Sequence, residues 1–86
     1  MDAYISEIVV VIDGKHADDM QEMVTRLHAA GVDIGRIDHD QGIVEGCVDA
    51  SLVKEIDAMP GVEYVRTVFT YAANYPPGHA RDKDGI

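Results

Sequence analysis

Four histidines, one cysteine, three lysines and a surplus of carboxylates are the side chains of this sequence that could do chemistry. His16 stands where a first helix is expected to begin, His28 near its end, His39 in a polar turn and His79 close to the C-terminus. Imidazoles that share a metal sit at i, i+4 on a helix or converge with thiolates, and no pair here has that spacing. Asp38-His39-Asp40 is too compact to enclose an ion by itself. The expectation is solvated histidines, with no metal and no cofactor. A single cysteine, Cys47, excludes an internal disulfide and any Cys-x-x-Cys site. It lies between apolar residues with no helix N-terminus or cation to stabilise a thiolate, so it is expected to pack in the core. A Schiff-base lysine must be desolvated, and Lys15, Lys54 and Lys83 all read as exposed. Gly31, Gly35, Gly42 and Gly46 do not have a phosphate-binding spacing. Gly46, inside an expected strand, points to a bulge or to the close approach of a helix. No carboxylate falls at an apolar position of either expected helix, which leaves a solvated acidic surface and no catalytic constellation. The expectation is a protein that is not an enzyme.

Composition narrows the remaining classes. Eighty-six residues make one domain with one modest core. Sixteen acidic against seven basic residues give a formal charge of −9, which repels phosphate backbones and argues against a nucleic-acid partner. A protein partner would present a neutral or basic surface. The longest uninterrupted β-branched run, Ile8 to Ile12, is far short of a membrane span, and Met1-Asp2-Ala3 does not open a basic leader. No membrane partner is expected, and a cytoplasmic location is.

The elements that would position any site follow from periodicity. Glu7 to Ile12 is a β-branched run closed by the turn pair Asp13-Gly14, a strand with both faces apolar. From Ala17 to Ala30 the period becomes helical, with Met20, Met23, Val24 and Leu27 on one stripe and Gly31 as the C-terminal cap. Val32 to His39 and Ile43 to Val48 are strands joined by a polar turn. Asp49 or Ser51 can cap a shorter helix bearing Leu52, Val53, Ile56 and Met59, stopped by Pro60-Gly61. Val62 to Tyr71 is the fourth strand. The expected division is a folded domain over 1–72 and an extended or mobile tail over 73–86, where little remains to bury.

The order β-α-β-β-α-β, with right-handed crossovers, predicts an α+β fold. It is a ferredoxin-like sandwich, its four-stranded antiparallel sheet in the order 4-1-3-2 with both helices on one face. The other face is then uncovered. Ile8, Val10 and Ile12 point one way along the first strand, and Val9 and Val11 the other. Contiguous apolar surface on an open sheet marks an interface, to a second protein or to another copy of the chain as a homodimer.

The segment Leu-Val-Lys-Glu-Ile-Asp-Ala-Met-Pro-Gly-Val-Glu-Tyr-Val, Leu52 to Val65, resembles the end of the subtilisin-propeptide family of inhibitors. There a short helix runs through a Pro-Gly-Val-x-x-Val turn into the last strand. Tyr4-Ile5 with Ile8-Val9-Val10-Val11-Ile12-Asp13-Gly14 is similar to that family's first strand, and Gly42 to Val48 to its third. The resemblance implies a propeptide-like inhibitor or folding chaperone that lays its open sheet face on a subtilisin-type serine protease. The C-terminal segment would thread the cleft. Residues implied to touch the partner are Val9, Val11, Val68, Thr70, Ala72, Ala73, Asn74, Tyr75 and Pro76. Tyr75 would enter the specificity pocket, and Pro76, with no N–H and a fixed φ, would hinder cleavage just beyond it. The other reading of the same face is a self-associating regulatory or small-ligand-binding domain.

Overall fold

The computed structural model describes residues 4–72. Along the chain run β1 (Tyr4–Ile12), a 3-10 turn (Ala17–Asp19), α1 (Met20–Ala29), β2 (Asp33–Asp38), β3 (Ile43–Asp49), a second 3-10 turn (Ala50–Leu52), α2 (Val53–Asp57) and β4 (Val62–Ala72). The strands form one antiparallel sheet in the order β2-β3-β1-β4, which is 4-1-3-2 read from the other edge. The chain is α+β, with two helices and an open sheet.

Strand alternation decides where the core lies. Ile8, Val10 and Ile12 of β1 and Val44 and Val48 of β3 are buried together with Met20, Met23 and Leu27 of α1 and Ile56 of α2. Both helices therefore cover the same sheet face. Burying each of these aliphatic side chains contributes about 1.5–3 kcal/mol relative to exposure. Ser6 continues the inward row of β1 and is 2% exposed, its hydroxyl satisfied by Thr70 Oγ1 at 2.9 Å. No helix among the described residues is long and apolar enough to cross a membrane.

The ends of the elements depart from the sequence reading in ways that local hydrogen bonding explains. The expected helix over 17–30 opens as a 3-10 turn and becomes α-helical only at Met20. Its leading loop is organised by Asp13, whose Oδ1 accepts from the backbone N–H groups of Lys15 and His16, both at 3.0 Å, and lies 2.8 Å from His16 Nδ1. At the other end Gly31, with φ of 110°, takes the left-handed position that lets Val32 N–H reach back to the Leu27 carbonyl. Asp49 Oδ1 accepts from the Ser51 backbone N–H at 2.9 Å and from its hydroxyl at 2.7 Å, so the second helix also begins as a 3-10 turn and α2 keeps only five residues.

Gly46 does mark a close approach, but a strand makes it. A Cβ there would collide with the Asp33 carbonyl oxygen of β2 and lie 3.0 Å from Val32 Cγ1. Beside it the β2–β3 register slips by one residue, leaving Gly35 unopposed.

Two outcomes follow. Gly46→Ala should lower the unfolding free energy by about 1–3 kcal/mol, the usual cost of overfilling a packed site. Gly14→Ala, with nothing within 4 Å of the added carbon, should stay within about 0.5 kcal/mol of the parent. Urea denaturation of the two variants measures this, and equal costs would contradict the packing. The second concerns acid. The carboxyls of Asp13, Asp38 and Asp49 are each held below their ordinary value of 3.8, chiefly by hydrogen bonds from the His16 side chain, the Gln41 backbone and the Ser51 side chain respectively. A carboxyl with a lowered folded-state pKa adds stability above its unfolded value and loses it as pH falls through the folded one. Asp13→Asn should therefore lower the thermal midpoint at neutral pH and converge with the parent in strong acid.

Candidate functional site

Paired residues of an antiparallel ladder project to the same side, so the register maps the helix-free face row by row. One row holds Asp49 of β3, Ile5 of β1 and Tyr71 of β4; the next holds Asp33 of β2, Cys47, Glu7 and Phe69. Below these come Arg36, Glu45, Val9 and Arg66, and then Asp38, Ile43, Val11 and Tyr64. The face is thus divided. Its β1/β4 half is mostly apolar and aromatic, interrupted by Glu7 and Arg66, and its β2/β3 half is mostly acidic.

The apolar half is carried by the central and the edge strand. Val9 and Val11 are half-buried between their neighbours. Along β4, Tyr64, Val68 and Phe69 are 49%, 57% and 56% exposed, large apolar side chains left uncovered beside Val9 and Val11. Phe69 and Tyr71 stack with ring centroids 5.5 Å apart at 30°. The β1–β4 register slips twice, leaving Glu63 and Val68 as extra residues on β4. The second slip turns Val68 onto the same face as Phe69, where strict alternation would have hidden one of them.

On the acidic half, Arg36 is engaged by Glu45 at 3.1 Å and by Asp38 at 3.9 Å. Glu7 and Asp33 flank Cys47 from the two neighbouring strands, and neither has an ion-pair partner among the described residues. Between them lies a concavity of about 460 Å³, bounded also by Val9, Arg36, Glu45 and Val68 and floored by Gly46 and Cys47.

Of the residues expected at the interface, the structure brings Val9, Val11 and Val68 together on this face. Thr70 and Ala72 pair with Ser6 and Tyr4 and belong to the opposite row. Ala73, Asn74, Tyr75 and Pro76 lie outside the described residues. Cys47 corrects its expected place in the core. Val44, Gly46 and Val48 take the inward positions of β3, so the thiol is half-exposed on the open face. Burial pushes its pKa up, and the charges of Glu7 and Asp33 add to this. Sequence reading missed Glu7, Asp33, Tyr64 and Phe69. The aromatics were visible in β4, but their side could not be assigned without the bulges.

Among the described residues the other chemistry-bearing side chains do not converge; His79 and Lys83 lie outside them. His16 is held by Asp13, while His28 and His39 are exposed on separate elements. No three His, Cys, Asp or Glu side chains among the described residues come together as a group that could hold a metal ion. Compared with protein families, curated proteins and solved structures, the chain has no match.

A thiol with a raised pKa is poor in thiolate at neutral pH, and its reactivity climbs only as the solution becomes alkaline. Cys47 should therefore react with a disulfide reagent more slowly than free cysteine at neutral pH. Glu7→Gln, which removes one of the two repelling charges, should speed it. An unchanged rate in that variant would contradict the electrostatics described.

Proposed function

We propose that this chain is a protein-binding module of ferredoxin-like architecture that works without catalysis and docks its partner on the helix-free sheet face. The observation that carries the reading is the β1/β4 half of that face. Half-buried Val9 and Val11 run beside exposed Tyr64, Val68 and Phe69, and no helix among the described residues covers them. A patch of aromatic and β-branched side chains on a rigid sheet has the composition of an interface centre, where a few such residues hold most of the binding energy. The acidic, single-cysteine composition fits work in the cytoplasm.

For the partner we take a subtilisin-type serine protease, on the resemblance of Leu52 to Val65 and of the first and third strands to propeptide-like inhibitors. In that reading the sheet face supplies affinity, and the segment Ala72-Ala73-Asn74-Tyr75 supplies the contact with the cleft, with Pro76 just beyond the scissile bond.

Titration of a subtilisin with the full chain tests both statements. The chain should inhibit, and Val9→Lys and Phe69→Ser should each weaken inhibition by about tenfold or more, the loss expected for an interface anchor. His28→Lys, on an exposed helix position, should inhibit like the parent. Absence of inhibition by the parent would remove the protease as partner. Inhibition unaltered by Val9→Lys and Phe69→Ser would remove the face.

A further inference from the structure

The apolar half of the open face explains attraction to a protein surface in general; the other half restricts which surface. We infer that the face selects a partner that is basic where it meets β2 and β3, placing one lysine or arginine side chain in the concavity over Cys47, between the carboxylates of Asp33 and Glu7. The inference rests on the docking face proposed above and adds the chemistry of what docks.

Three observations carry it. The first is the row itself. Asp33 pairs with Cys47 and Cys47 with Glu7, so the two acids stand on strands either side of β3. Adjacent strands lie about 4.8 Å apart, which puts the acids' backbones roughly 10 Å from each other with the small thiol between. That gap admits one guanidinium or ammonium group within reach of both. The second is space. The slip in the β2–β3 register leaves Gly35 at the rim, and the floor is Gly46 and Cys47, so the concavity of about 460 Å³ is open to a side chain arriving from outside. The third is charge. Among the described residues paired in the sheet, Asp33, Asp38, Glu7, Glu45 and Asp49 share this face with two cations, Arg36 and Arg66. Arg36 is already engaged by Glu45 and Asp38, and Arg66, on β4 across Val9, does not line the concavity.

The same observations disfavour a second copy as the occupant. Two chains of formal charge −9 that stacked these faces would bring their carboxylates together. Pairing through the long edge of β4 is hindered as well. Its two bulges leave Glu63 and Val68 out of register, and bulges and charges are the devices that keep an edge strand from accepting another. The occupant that fits is a different protein with apolar side chains over β1 and β4 and a cation over β2 and β3.

The probe is a synthetic extended peptide, acetyl-Leu-Ser-Val-Ser-Arg-amide, whose apolar and cationic side chains lie on one side, titrated into the full chain at low salt and followed by backbone amide shifts. Its control is the same peptide with citrulline for arginine, equal in shape and neutral. The arginine peptide should bind about tenfold more tightly than the citrulline peptide, equivalent to about 1.4 kcal/mol, with the largest shifts around Glu7, Val9, Asp33 and Cys47. Added salt should narrow the difference. A Glu7→Gln, Asp33→Asn double variant, both sites being exposed, should keep its fold and bind the two peptides alike. Equal binding of the two peptides by the parent, binding by neither, or shifts confined to the helix side would overturn the inference. So would a parent that sediments as a dimer and becomes monomeric on Val9→Lys. Failure here is separable from failure of the protease reading. A chain that discriminates the peptides yet does not inhibit a subtilisin keeps the basic partner and loses the protease. A chain that inhibits through Val9 and Phe69 but does not discriminate keeps the face and loses the clasp.

Discussion

Everything in this molecule depends on β1 being apolar on both sides while occupying the interior of the sheet. Its inward row, Ser6, Ile8, Val10 and Ile12, meets both helices and closes the core. The outward row, Ile5, Glu7, Val9 and Val11, meets no helix among the described residues. Among the described residues the two helices lie on the inward side alone, which leaves the second row without a helix over it. Alternation along one strand thus creates both the source of stability and the uncovered surface on which the proposed docking would occur.

The edge strand turns that leftover into a particular surface. β4 is the longest strand, and it lies beside β1 over nearly its whole length. Its two bulges re-aim its side chains, so that Val68 and Phe69 both join Val9 and Val11, while Thr70 returns to the inward row and satisfies the buried hydroxyl of Ser6. On the other side of β1 the short strands β2 and β3 bring carboxylates to the same plane. The asymmetry of the face, apolar beside acidic, follows from which strand is long and bulged and which are short and polar.

Much of the fold was legible because its signals are local. Met20, Met23 and Leu27 at helical spacing did mark the buried stripe of α1, and Gly31 did end the helix in the left-handed conformation. The turn signals separated the strands correctly, and the order of elements led to the observed strand order. What stayed hidden was relational. Cys47 was read as core because its sequence neighbours are apolar, yet in a strand the immediate neighbours face the opposite way. Gly46 signals a bulge or the approach of a helix; a slip in register does lie beside it, but the close approach is made by the β2 backbone. The two slips in the β1–β4 register have no mark in composition, and they decide which of Val68, Phe69 and Thr70 reach the open face. The pairing of Asp33 with Glu7 across Cys47 joins residues far apart in sequence, and only the register reveals it.

The central claim is that the helix-free face meets another protein. The most direct measurement is the solvent exposure of methyl groups by paramagnetic relaxation, with and without a subtilisin whose catalytic serine is replaced by alanine so that the cleft stays open. The account predicts that the methyls of Val9, Val11 and Val68 are relaxed by a soluble paramagnetic agent in the free chain and protected in the complex, with Ala29 on α1 unchanged. Protection of Ala29, with Val9, Val11 and Val68 still relaxed, would contradict it.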